Sequence, residues 1–162
     1  MKEGFKLGGV FSLECYDKNG KLKWKDTFSN LVVNQGLQEA LDVLFSSKAQ
    51  IATWFLGLTD GNPTVAAADT LASHAGWIEE TGYTGDRQEW VEVRSGQSMT
   101  NSASVAVFPI TGTATIGGGF LAAAATGTSA VLFSAGALSG GDRSVVNLDT
   151  LNFTYTLAAS DV

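Results

Sequence analysis

The closing stretch of the chain, residues 150–157, alternates apolar and polar side chains, and this pattern constrains the fold more than any other feature. The apolar members are Leu151, Phe153, Tyr155 and Leu157, and the polar members between them are Asn152, Thr154 and Thr156. A period of two residues is that of a β-strand with one face in a core and the other in solvent. The segment therefore predicts a strand whose apolar face packs against a second layer.

The beginning of the chain predicts a β-hairpin. Residues 5–15 and 22–33 are two apolar-rich arms, and the Asn19-Gly20 pair between them readily supplies the positive φ of a tight turn. In the second arm Leu22 and Trp24 share one face, which Asp26 and Phe28 continue, and Lys21, Lys23 and Lys25 occupy the other. One face is therefore predicted to be core and the other solvated.

Further strands are predicted across the rest of the chain, at 52–58, 77–81, 89–94, 104–110, 116–124 and 130–134. Residues 59–75 are rich in turn signals and predict an ordered surface loop. Gly117-Gly118-Gly119 within a strand indicates a bulge, a bend or close approach by another chain. Short strands at this spacing favour an antiparallel β-sandwich or jelly-roll-like domain spanning 1–162, with residues 1–8 as an extended N-terminal arm.

One segment departs from the strand pattern and predicts a helix over residues 35–46. Its apolar positions, at the spacing i, i+3, i+4, i+7 and i+8, are Leu37, Ala40, Leu41, Leu44 and Phe45. Asn34 is a candidate N-cap. We expect the stripe to pack on a sheet, with a partner-docking surface as the alternative.

Charge and cysteine content restrict the function classes. The net charge of −6 is uneven, because residues 1–48 hold seven Lys and six acids while the remainder holds three Arg and ten acids. Nucleic-acid binding needs clustered cations over a surface, and a membrane span needs an apolar run of roughly 18 to 20 residues, which the sequence does not contain. We therefore expect neither nucleic acid nor a membrane as a partner. The single cysteine, Cys15, excludes an intrachain disulfide and a cysteine zinc cluster, and its apolar strand context predicts a buried structural thiol.

The sequence offers little for catalysis. His74 is the one histidine, no Gly-x-Ser-x-Gly elbow accompanies it, and it is predicted to pin the loop before Trp77. The carboxylate pairs Glu79/Glu80 and Glu89/Glu92 fall on opposite faces of their strands. Asp60-Gly61-Asn62 is predicted to be a turn because the remainder of a calcium loop is missing. We therefore expect no catalytic residue, cofactor site or metal site, and no enzymatic activity.

The chain resembles small virion proteins of tailed bacteriophages, of the capsid cement or decoration type. The segments that carry the resemblance are Leu13–Gly20, Asn30–Asn34, Trp54 with Gly57–Gly61, and Ala68–Trp77. The resemblance implies a β-sandwich or jelly-roll-like body that forms dimers or trimers. It also implies binding to the outer capsid surface, where the protein bridges and stabilises major capsid protein subunits. The expected location is the virion, after synthesis in the cytoplasm of the bacterial host.

Candidate partner-contact residues lie in two places. Lys2, Phe5 and Lys6 belong to the predicted N-terminal arm, which would order on binding. Trp77, Tyr83 and Trp90 lie near acidic residues around the loops, where they are either buried between sheets or exposed to a partner. Exposed rings of this kind would favour the alternative function, a tail or fibre module that recognises a host glycan or receptor.

Overall fold

Between residues 4 and 161 the fold is mostly β with a single helix, as the sequence predicts. The computed structural model describes residues 4–161. In chain order the elements are β1 (Phe5–Tyr16), β2 (Leu22–Ser29), β3 (Leu31–Val32), α1 (Asn34–Phe45), β4 (Phe55–Thr59), β5 (Glu79–Glu80), β6 (Gln88–Glu89), β7 (Val93–Ser95), β8 (Ser98–Thr100), β9 (Ala106–Pro109), β10 (Ala114–Ile116), β11 (Gly118–Ala122), β12 (Leu132–Ala137), β13 (Arg143–Val145) and β14 (Thr150–Asp161). No helix in this part of the chain is long and apolar enough to cross a membrane.

Two six-stranded antiparallel sheets form a β-sandwich. The terminal sheet has the order β2-β1-β14-β8-β7, with β9 also paired to β14. The middle sheet has the order β3-β12-β11-β4-β5, with β6 also paired to β4, and β10 and β13 form a separate ribbon. The first and last strands, β1 and β14, pair along their whole length, from Phe5 opposite Asp161 to Tyr16 opposite Thr150.

The core fills the space between the two sheets. The terminal sheet contributes the predicted alternating residues, and the ring of Phe11 stacks on that of Tyr155 with centroids 4.3 Å apart. The middle sheet contributes Leu56, Leu58 and Leu121, each at most 1% exposed. Burial of large side chains at this density is the main source of stability in a domain of this size.

The outer face of the middle sheet is also buried. All five residues of β11 are buried, because Phe120 on the outer face contacts a second cluster that includes Leu71 and Trp77. On the inner face of β11 the triple glycine permits close packing against the terminal sheet, because a Cβ on Gly119 would lie 2.3 Å from the ring of Phe153. The close approach predicted at these glycines therefore comes from the same chain.

Several predicted boundaries are wrong. Residues 5–8 belong to β1 and do not form a free arm, while residues 1–3, including Lys2, lie outside the described residues. Asn34 is not the N-cap: Val33 occupies that position without a side-chain cap bond, and the Asn34 amide donates to the Ala67 carbonyl oxygen (2.8 Å). The sequence pattern does not predict the strands β8 and β13, because three residues are too few to show a period.

Candidate functional site

The aromatic contact candidates lie in the core. Trp77, Tyr83 and Trp90 are 4%, 7% and 4% exposed. The Trp90 Nε1 group donates to the Tyr155 carbonyl oxygen (3.0 Å), and Tyr83 packs edge-to-face on Phe108 with centroids 4.8 Å apart. These rings are therefore not available to stack on a glycan or on a partner, and the prediction that they contact a partner is wrong for this fold.

His74 and Asp69 hold the loop that covers the middle sheet. The His74 ring stacks on Trp77 at 3.8 Å between centroids. Its Nδ1 lies 2.8 Å from the carbonyl oxygen of Thr70, which can only accept, so Nδ1 donates. The carboxylate of Asp69 accepts from Trp77 Nε1 (3.0 Å) and from the Ala66 amide (2.9 Å). His74 thus pins the segment before Trp77, as predicted.

Each candidate glutamate of the β5 strand has a structural bond. Arg87, 5% exposed, donates from Nε and Nη2 to the two carboxylate oxygens of Glu79, both at 2.7 Å. Its Nη1 donates to the carbonyl oxygen of Ala124 at 2.9 Å. Glu80 accepts from the Gly82 amide (2.6 Å). The glutamates therefore fix the loop between β5 and β6, and Arg87 is a structural residue that sequence reasoning missed.

Cys15 is a buried thiol, as predicted. Its side chain is 0% exposed in the core between the sheets. Burial, reinforced by the nearby Asp149 carboxylate, raises the pKa of the Cys15 thiol to about 11. At neutral pH the thiol stays protonated, which suits a packing role and not a nucleophile.

The hairpin formed by β1 and β2 carries four lysines at or near its turn, Lys18, Lys21, Lys23 and Lys25, and two of them form ion pairs. Lys23 pairs with Asp149, and the hydrogen bond to that carboxylate raises the pKa of Lys23. Lys25 pairs with Glu14 at 2.7 Å. Lys18 and Lys21 are exposed near the turn and form no ion pair with any residue between 4 and 161.

Asp26 joins the two sheets across one edge of the sandwich. It is 5% exposed, and its carboxylate accepts from Ser139 Oγ (2.6 Å) and from the Gly140 amide (2.8 Å). Burial opposes ionisation, but these hydrogen bonds outweigh it and hold the pKa of Asp26 below its usual value. The residues 4–161 contain no group of three His, Cys, Asp or Glu side chains placed to hold a metal ion.

The inner side of α1 is formed by small and polar residues. Gly36 lies against the backbone of β12, where an added Cβ would be 2.3 Å from the Phe133 carbonyl oxygen. Glu39 is 5% exposed and accepts through Oε2 from Lys48, and this hydrogen bond raises the pKa of Lys48. Glu39 Oε1 has no hydrogen-bond partner within the described part of the chain. The helix therefore docks through a glycine and a buried carboxylate.

The large apolar residues of α1 point outwards. Leu37, Leu41, Leu44 and Phe45 are 42%, 55%, 62% and 80% exposed. The prediction that the whole stripe packs on a sheet is therefore wrong, because these four side chains are exposed. The alternative, a partner-docking surface, stays a prediction. Burying these four side chains would be favourable, at roughly 25 cal/mol per Å² of apolar surface removed from water.

Two residues of β1 extend the exposed surface beside the helix. Phe5 is 63% exposed, and Leu7 is half-buried next to it. With the helix they line a groove of about 440 Å³. We call this surface the α1 patch, and its members are Phe5, Leu7, Leu37, Ala40, Leu41, Leu44 and Phe45. Of the predicted arm contacts, Phe5 belongs to the patch and Lys6 is an exposed neighbour on the same strand.

A signal in the sequence could have indicated the outward face. Gly36, Glu39, Ala40 and Val43 also follow helical spacing and form a second stripe beside the leucines. A glycine within a helix favours close backbone approach, which marks the docking side. Hydrophobicity alone favours the stripe of larger apolar residues, and it therefore points to the wrong side of this helix.

The α1 patch has no ionisable side chain, so the chemistry it offers is apolar contact. Exposed apolar patches of several hundred Å² mark interaction sites more often than chance exposure does. The patch is therefore the candidate functional surface of the described chain. No protein-family model matches the chain, and no curated protein matches it as a relative.

Proposed function

We propose that the protein is a non-enzymatic structural protein of a tailed-phage virion, a decoration protein that binds the outer capsid surface and bridges major capsid protein subunits. The resemblance of several segments to such proteins motivates the proposal. A compact β-sandwich with a contact surface at one side suits a protein whose role lies in binding.

The observation that carries the proposal is a contrast between the interior and the surface. The side chains most suited to chemistry, which are His74, Cys15, Glu79 and Asp69, are engaged in packing or in hydrogen bonds of the fold. Five exposed large apolar side chains, in contrast, lie together in the α1 patch: Phe5, Leu37, Leu41, Leu44 and Phe45. A protein with this arrangement is suited to assembly.

Charge offers a second contribution to capsid binding. Lys6, Lys18 and Lys21 are exposed and form no ion pair with residues 4–161. They would face an acidic capsid surface, and symmetric repetition would multiply contacts that are individually weak. Exposed charge pairs are screened by salt, so capsid affinity should fall as ionic strength rises.

The test is a binding experiment with undecorated, expanded heads of the phage that encodes the chain. Purified protein should occupy the heads stoichiometrically and symmetrically in a reconstruction, and should raise the temperature at which the shells disrupt. A Lys18→Glu, Lys21→Glu double variant should bind more weakly, whereas Arg94→Glu, an exposed cation elsewhere, serves as the control. Failure to bind any expanded shell would overturn the proposal.

The alternative function, a tail module that recognises a glycan, is no longer supported by the aromatic residues that suggested it. Its three candidate rings, Trp77, Tyr83 and Trp90, are buried. The exposed rings of Phe5 and Phe45 belong to the α1 patch, which has no polar side chain to bind the hydroxyls of a sugar. Localisation of the chain in a virion reconstruction separates the two roles. Density at the tail or a fibre would replace the capsid proposal.

A further inference from the structure

We infer that the α1 patch is the contact between two copies of this chain, which pack their α1 helices antiparallel across a two-fold axis at Leu41. Three properties of the patch support this dimer: its shape, its area and its lack of ionisable side chains. None of them depends on the virion role, so the dimer can be tested with the purified protein alone in solution.

The shape of the helix face is self-complementary. Leu37 and Phe45 lie four residues before and after Leu41, about 6 Å on each side along the helix axis. A two-fold axis at Leu41 therefore brings Leu37 of each copy opposite Phe45 of the other. Phe45 projects at 80% exposure, while Leu37 is more recessed at 42% beside the groove of about 440 Å³. Each projecting ring would fill the groove of the other copy.

The area is sufficient for a specific but weak dimer. With full side-chain areas on the order of 150–200 Å², the exposed fractions of the patch leave roughly 500 Å² of apolar surface per copy. Two such patches bury about 1,000 Å², which lies at the lower limit of specific interfaces. We therefore expect a reversible dimer and not an obligate one.

The patch carries no charge that would oppose self-association. None of its members has an ionisable side chain, so two copies that meet through it bring no like charges into direct contact. The exposed Lys6 on β1 and the exposed Asp161 opposite Phe5 on β14 lie beside it, so charges of both signs flank the patch.

The first test is sedimentation of the purified full chain from about 1 μM to about 1 mM, the range in which weak interfaces dissociate. The wild type should shift from monomer to dimer with concentration. Leu41→Asp should remain a monomer and, at a concentration where the wild type is also monomeric, should keep the wild-type thermal unfolding midpoint. Ile78→Asp is the matched control, since Ile78 is a 66% exposed apolar residue outside the patch, and it should dimerise like the wild type.

A second variant tests the position of the axis. Cys15 is the one cysteine and is buried, so Leu41→Cys introduces an accessible thiol. On a two-fold axis the two thiols meet within disulfide range, and mild oxidation should give a covalent dimer much faster than it does with Ile78→Cys.

Three results would overturn the inference. These are a wild type that remains monomeric throughout, a dimer that survives Leu41→Asp, or equal cross-linking at the two cysteine positions. A Leu41-dependent trimer would overturn the two-fold arrangement. A monomer whose Leu41→Asp variant loses binding to heads would assign the patch to the capsid instead.

Discussion

The loop 60–77 and the helix α1 both contact the middle sheet, but the loop buries its large apolar side chains and the helix leaves its own exposed. The loop, which has almost no regular structure, buries Leu71 at 1% exposure and Trp77 at 4%. The helix, the most regular element outside the sheets, leaves Leu44 and Phe45 62% and 80% exposed. Regular structure is therefore a poor guide to which segment completes the core.

The difference follows from what each segment presents to the sheet. The loop presents rings together with polar partners, since Trp77 stacks under His74 and donates to Asp69. The helix presents Gly36 and Glu39, so its docking side is occupied by a close backbone approach. The loop is therefore a structural part of the fold, while the outer side of the helix is free to contact another molecule.

The largest loss of stability should come from a substitution in the loop. Trp77→Ala removes a buried ring that contacts Phe120, and the free energy of unfolding should fall by about 3–5 kcal/mol. Urea denaturation followed by far-UV circular dichroism measures this change. A loss below about 1 kcal/mol would show that the loop is not part of the core, and the difference between the loop and α1 would disappear.

A substitution on the docking side of the helix should lower the free energy of unfolding almost as much as one in the loop. Gly36→Ala places a Cβ 2.3 Å from the Phe133 carbonyl oxygen, so the helix must shift, at a cost of about 2–3 kcal/mol. Gly112→Ala is the control, because nothing lies within 4 Å of its added Cβ. Equal unfolding midpoints for the two variants would contradict the close contact between α1 and β12.

Loss of the Asp69 carboxylate should destabilise the loop less than loss of the Trp77 ring. Asp69→Ala leaves the Trp77 Nε1 donor without its acceptor inside the protein, so we expect a loss of about 1–2 kcal/mol. Hydrogen exchange should speed up at residues 64–77, while exchange in β1 and β14 stays slow. Uniformly faster exchange in both regions would mean that the loop does not open independently.

The smallest effect on stability is expected on the outer side of the helix. Phe45→Ser removes a ring that is 80% exposed, so the unfolding free energy of the monomer should change by no more than about 0.5 kcal/mol. Denaturation at a low protein concentration, where the monomer dominates, provides the measurement. A loss of several kcal/mol would place the ring in the core and remove the distinction between the two regions.

Much of the fold could be predicted from local patterns. The alternation in β14 and the Asn19-Gly20 turn specify their elements through side-chain period and backbone freedom, which depend on neighbours in sequence. The turn glycine indeed has φ of 77°. The apolar spacing locates the helix to within one residue at each end for the same reason.

The site could be predicted only in part, because it depends on partners distant in sequence. Gly36 indicates which side of the helix docks, but nothing near it shows that β12 is the strand it docks on, and nothing near Trp77 shows that Phe120 lies opposite it. A periodic pattern identifies an apolar face but not the surface that covers it. The buried Arg87 was missed for the same reason, since its carbonyl acceptor at Ala124 is 37 residues away.

The pairing of β1 with β14 along their full length has a consequence for handling the protein. Phe5 lies opposite Asp161, so both ends of the described chain emerge together, beside the α1 patch. A purification tag or displayed peptide fused at either end would therefore crowd that surface and weaken any contact made there. The β1–β2 turn at Asn19 and Gly20 lies at the other end of β1 and leaves the patch open, but Lys18 and Lys21 flank it. A label inserted there would therefore interfere with the proposed capsid contact and not with the contact between copies.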